Sequence, residues 1–131
     1  MSRNPTRTYT IFAAGLLGLQ GTSTLAALTF PAVDRALPAL LDVTRMVEEH
    51  STLHIVSAIV AVGALASGRT REFALGFGLF YSLLGVSGWL ADAKFFLDPQ
   101  PFDHPFHLVL GSLGIIARVR QPDREKGQVA I

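Results

Sequence analysis

Cysteine is absent from the 131 residues, and charge is scarce: Asp, Glu, Lys and Arg make up 16%, against roughly 25% in an average soluble domain. The first absence excludes disulfides and thiolate metal sites. The net charge is only +1 and no basic stripe is present, which argues against a nucleic-acid partner. No phosphate-cradling loop is present, because the Gly-rich stretches lie inside apolar runs with no following Lys. Nor does any serine stand in a recognisable relation to a histidine and a carboxylate, so a nucleophilic triad has no support. No acidic or basic residue sits in the middle of an apolar run, which argues against a proton-driven transporter or ion pump. The chain is therefore not expected to be an enzyme, and no catalytic residue is assigned.

What the sequence does contain is long stretches free of charge. Between Thr8 and Phe30 the only ionisable side chain is Tyr9, and between Phe73 and Ala91 it is Tyr81. A soluble helix needs a polar face toward water, whereas a membrane helix needs about 20 apolar residues in succession. The expectation is an all-α integral membrane four-helix bundle forming a single domain, with spans at 9–30, 51–67, 73–91 and 105–119 and a flexible tail at 121–131. The first apolar run follows Arg3 and Arg7 as a signal peptide's would, but it is longer than a signal peptide's apolar core, so it is read as a retained helix. The second and fourth spans are short. The second can begin earlier, while Pro99, Pro101 and Pro105 crowd the start of the fourth, so Arg118 and Arg120 must snorkel to the interface.

Basic residues set the expected topology. Arg3 and Arg7, then Arg69 and Arg71, then Arg118, Arg120, Arg124 and Lys126 fall on one side of an even number of spans. That side is the cytoplasm, so both termini are cytoplasmic. The other two connections are net acidic: Asp34, Asp42, Glu48 and Glu49 outweigh Arg35 and Arg45, and Asp92, Asp98 and Asp103 outweigh Lys94. In the long outer connection, Leu37, Leu40, Leu41, Thr44 and Val47 recur at helical spacing. This predicts an amphipathic interfacial helix or an outward extension of the second span. Trp89, with Phe95, Phe96, Phe102 and Phe106, gathers near the outer ends of the third and fourth spans. The predicted location is a bacterial inner membrane.

The second and fourth spans begin alike, Leu53-His54-Ile55-Val56 against Phe106-His107-Leu108-Val109. The first and third do too, with Arg7-Thr8-Tyr9 against Arg71-Glu72-Phe73 and Gly21 and Gly85 at one common offset. This predicts two pseudo-repeated in–out–in hairpins, parallel in the membrane, with an approximate two-fold axis along its normal.

Arg7-x-Tyr9, Gly78-x-x-Tyr81-x-x-x-Gly85-x-x-Gly88, and Asp103-x-x-x-His107-x-x-x-Gly111 paired with Leu53-His54 together resemble a known family. It is the group of small bacterial four-helix membrane proteins classed as domain-of-unknown-function family 4383, and the likeness spans Arg7 to about Ile116. Where that pattern has Asn near the start of the second span, this chain has Glu49-His50. The resemblance implies architecture and no activity.

All four histidines lie at the outer ends of the second and fourth spans. His50 and His54 are four apart on one helix face, as are Asp103 and His107 on another. Folded about the axis, His50, His54, Asp103 and His107 are candidate ligands for a divalent metal. His54 and His107 alone are candidates for haem or another tetrapyrrole. The simpler expectation is that these side chains lock the two hairpins together through hydrogen bonds, in which case no cofactor is required.

The Gly and Ser residues of the third span, Gly76, Gly78, Ser82, Gly85, Ser87 and Gly88, are expected to pack against Gly15, Gly18 and Gly21 of the first. The leading functional expectation is a non-catalytic accessory or scaffolding subunit, packed in the lipid bilayer against other membrane proteins or further copies of itself. The alternative is a metal-, haem- or pigment-binding membrane protein that uses the outer histidines.

Overall fold

The computed structural model describes residues 4–44, 46–90 and 100–121, and these are helical throughout apart from short connections. Helix α1 spans Pro5–Thr29 and begins under a complete cap. The Asn4 side chain accepts the Arg7 backbone N–H at 3.0 Å, and Pro5 occupies the first helical position, where no donor is missed. Two short helices follow, α2 (Pro31–Ala36) and α3 (Pro38–Thr44). The amphipathic segment expected here is thus two pieces. Pro38 cannot donate to a continuing helix, so the chain breaks at Leu37 and restarts. Neither piece buries a side chain, and Leu37 and Val43 are exposed.

Helix α4 (Glu48–Ala66) carries Glu48 and Glu49 in its first turn, where carboxylates complement the helix dipole. It ends at a tight turn through Gly68, whose φ of +71° suits a residue without Cβ. Helix α5 (Thr70–Leu90) follows at once, and α6 (Asp103–Arg120) closes the described chain. The connection predicted to hold Asp92, Lys94, Phe95, Phe96 and Asp98 lies outside the described residues, as do Arg3, Arg45 and the tail from residue 122.

Three of these helices, α1, α4 and α5, are long and apolar enough to cross a membrane. Helix α6 has an apolar middle but keeps Asp103, His104 and His107 in its first turns and Arg118 and Arg120 in its last. The exterior of the helices is apolar: Leu19 is 72% exposed, Ile59 65% and Leu83 70%. The interior, by contrast, is rich in small and polar groups, with Thr6, Thr10, Thr24, Ser51, His50, His54 and His107 all buried. This inversion is the reverse of a water-soluble helix bundle.

The long helices form two hairpins, α1 against α4 and α5 against α6, with α1 also touching α5 and α6. Each hairpin closes on a glycine. A Cβ on Gly21 would stand 2.7 Å from the Ser51 carbonyl oxygen on α4, and one on Gly85 2.8 Å from the His104 carbonyl on α6. These contacts are equivalent. The offset that carries Gly21 onto Gly85 carries Gly18 onto Ser82, and the one that carries His54 onto His107 carries Ser51 onto His104 and Ala58 onto Gly111. Gly18 faces Ala58, and Ser82 faces Gly111. Gly78, Ser82, Gly85 and Gly88 of α5 therefore pack on α6, where the sequence had suggested α1.

Residues on the repeat axis meet their own equivalents. Thr6 Oγ1 and Thr70 Oγ1 hydrogen-bond at 3.1 Å at the end where α1 and α5 begin. His54 and His107, also equivalent, lie with ring centroids 5.9 Å apart at the other end. His50 and its equivalent Asp103 approach to 3.7 Å. Among the described residues, α4 and α6 make no backbone contact across the axis. Their imidazoles fill the space between them.

Candidate metal centre

Three imidazoles converge at the end of the molecule where α4 and α6 begin. His50 and His54 come from successive turns of α4 and His107 from α6, and their available nitrogens all lie within 4.8 Å of one another. All three are buried, with at most 1% of each exposed. His50 Nε2 and His107 Nε2 stand 3.4 Å apart. That is long for a hydrogen bond, but it is about the spacing of two nitrogens each ~2.0–2.1 Å from one ion. The ring centroids of His50 and His54 are 4.8 Å apart and those of His50 and His107 5.3 Å.

Polar satisfaction around the trio is poor. Neither nitrogen of His54 has a hydrogen-bond partner, and the Nδ1 atoms of His50 and His107 have none. A buried polar atom without a partner costs about 1–3 kcal/mol, and such atoms call for a specific explanation. The hydrogen-bonded lock expected from the sequence is therefore not what His54 provides. It sits beside His50 and His107 with both ring nitrogens uncommitted.

Asp103, expected as a fourth ligand, stands on the far side of the His50 ring. Its Oδ2 lies 3.7 Å from His50 Nδ1 and accepts the Gln100 backbone N–H at 2.7 Å. The reason is local. Asp103 opens α6, so its carboxylate is drawn back to the turn before the helix and cannot reach the inner nitrogens. A carboxylate beside Nδ1 favours the proton on that atom and leaves the Nε2 lone pair directed at the centre.

His104 is buried but not part of the trio; its ring covers Gly88 of α5, where a Cβ would collide with it. Pro105 and the helical turn separate it from His107, as the sequence implied.

The walls of the site include residues the sequence had not assigned to it. Tyr81 of α5 is fully buried, with its ring centroid 5.1 Å from His107 and 6.3 Å from His54. Its hydroxyl shares a hydrogen bond of 3.1 Å with Ser57 Oγ. Phe106 packs at 6.2 Å from His54 and 5.7 Å from His107. Tyr81 was visible only as one letter in the α5 pattern; its place opposite the histidines depends on how α5 is rotated. The polar residues of α1 mostly satisfy themselves. Thr22 and Ser23 donate to carbonyls of their own helix, Thr24 also meets Ser51 Oγ at 2.8 Å, and Gln20 donates to Met46 Sδ at 3.4 Å.

Three imidazoles closing around one point leave no free plane for a macrocycle between them. The arrangement suits a bare ion better than a tetrapyrrole. Compared with known proteins, the chain matches no family model, no curated protein and no solved structure.

Proposed function

We propose that this chain is a membrane protein that binds one transition-metal ion through His50, His54 and His107. The observation that carries the reading is the convergence of three buried imidazoles from two helices, with both nitrogens of the His54 ring unpartnered. Imidazole nitrogen is a good ligand for first-row metals, and an ion would relieve the unpartnered His54. It would also tie α4 to α6, which lack backbone contact.

The setting of the site follows from the membrane reading. In this proposal α6 is the fourth span, completing a four-helix membrane bundle whose inner face carries Arg7, Arg69, Arg71, Arg118 and Arg120 and faces the cytoplasm. The metal centre then lies near the outer surface of a bacterial inner membrane. The resemblance to family 4383 supports this architecture.

The test is elemental analysis of protein purified in detergent after exposure to a panel of first-row metals, monovalent copper included. We expect about one ion per chain, and loss of that ion in His54→Ala and His107→Ala variants that still elute as folded protein. A wild-type chain that retains no metal from the panel would overturn the reading.

A second reading, an accessory subunit that packs against other membrane proteins, is favoured by one observation. Gly15, Gly63 and Gly76 each face open space on the outside of α1, α4 and α5, which permits close approach by another helix. Mild-detergent extraction followed by cross-linking should then recover a larger assembly. A chain recovered alone under all such conditions removes this reading.

A further inference from the structure

We infer that the ion held by the three histidines is monovalent copper in a three-coordinate site, with the Asp103 carboxylate as its compensating charge behind His50. This inference rests on the metal-binding reading above and names the ion.

Coordination number is the first argument. Structural zinc is almost always four-coordinate, and catalytic zinc adds a water to three protein ligands. Among the described residues the donors number three. The described side chains nearest a fourth position are committed elsewhere: the Asp103 carboxylate lies on the Nδ1 side of His50 and accepts from Gln100, and the Tyr81 hydroxyl is shared with Ser57. The three rings are buried, so solvent does not reach the centre to supply a water. Monovalent copper has a filled d shell and readily accepts three nitrogen donors in a plane.

Charge is the second argument. The three ligands are neutral imidazoles, because a protonated ring has no lone pair to give. The cost of burying an ion in a low-dielectric interior rises with the square of its charge, so a divalent ion costs about fourfold more than a monovalent one. Among the described residues a single carboxylate, that of Asp103, is adjacent to the site. With it a monovalent ion forms a neutral assembly, whereas a divalent ion leaves one buried positive charge without a partner. The neighbouring walls, Tyr81 and Phe106, are aromatic and add no further charge.

Symmetry is the third argument. His54 and His107 are equivalent in the repeat, while His50 and Asp103 are an equivalent pair that differs in chemistry. The repeat thus places imidazole where a ligand is needed and carboxylate where a counter-charge is needed.

The experiment uses the full chain in detergent, without oxygen and under ascorbate. A chromophoric copper(I) chelator competes for the ion, with zinc(II), nickel(II) and cobalt(II) titrated in parallel. We expect one copper(I) per chain, not displaced by an equal concentration of zinc(II). X-ray absorption at the copper edge should report three nitrogen donors. Asp103→Asn should lower copper(I) affinity about 10- to 100-fold, the usual effect of removing a partner behind a ligating histidine, while helicity by circular dichroism is unchanged. Asp103→Glu, which keeps the charge, should recover most of that loss.

Zinc(II) or another divalent ion bound in preference to copper(I), or a four-donor copper spectrum, overturns the assignment of the ion and leaves the histidine site standing. Copper(I) affinity unchanged in Asp103→Asn overturns the role of the carboxylate. Failure of every metal to bind removes this inference together with the reading beneath it.

Discussion

His54 is the side chain on which the site turns. Its neighbours His50 and His107 meet through their Nε2 atoms, whereas both of its nitrogens are buried and unpartnered. Replacing it with Leu, which keeps most of the buried volume, should abolish metal retention yet cost the apo protein little, since no hydrogen bond is lost. Thermal unfolding of metal-free His54→Leu, compared with metal-free wild type, checks this. A large loss of apo stability would instead mark His54 as a structural lock. Tyr81 makes a contrasting case. Tyr81→Phe removes only the bond to Ser57, and side-chain hydrogen bonds between membrane helices average about 0.6 kcal/mol. The variant should therefore be slightly less stable and bind metal at the wild-type level, as read by unfolding and elemental analysis.

The helices are held at short range by glycine, and the consequences can be measured one element at a time. At Gly21 and Gly85 a Cβ would press on the backbone of the facing helix, and backbone cannot rotate away as a side chain can. Gly85→Ala should push α5 from α6 and destabilise the protein by about 1–3 kcal/mol. Gly76 lies on the same helix but faces open space, so Gly76→Ala should change stability by no more than about 0.5 kcal/mol in the absence of a partner. Unfolding of the two variants in one detergent separates these outcomes. Equal effects would mean that α5 does not pack on α6 through Gly85. Because His104 and Leu108 both lie against Gly85, the Gly85 variant should also disturb the mouth of the histidine site.

For the whole molecule, the repeat axis links stability to ligand. The end where α1 and α5 begin is joined by Thr6 and Thr70; at the opposite end, among the described residues, α4 and α6 meet through the imidazoles and their neighbours. An ion that binds the folded chain alone stabilises it by about 2.7 kcal/mol at a hundredfold excess over its dissociation constant. The unfolding temperature should therefore rise with metal concentration in the wild type and stay constant in His107→Ala. A metal-independent unfolding temperature in the wild type would count against an ion bridging α4 and α6. At the same scale, reporter fusions at either terminus should both report cytoplasm, and opposite reports would remove the proposed topology.

Much of the architecture was already present in local sequence. Charge-free runs such as 10–30 and 73–91 announce apolar helices because no other element can hold so many such residues. Asn4 and Pro5, Pro31 and Gly68 mark the helix ends through chemistry that acts within a few residues. The repeat was legible from two short matches, since equivalent positions face equivalent neighbours. The convergence of His50, His54 and His107 was anticipated from their spacing on two helix starts. Tertiary structure alone decided which helix faces met and which nitrogens pointed inward. It turned Gly85 toward α6, drew Asp103 back to its own helix start, and set Tyr81 against His107. Those choices depend on helix rotation and on the distance between elements remote in the chain, quantities that a local pattern of residues does not carry.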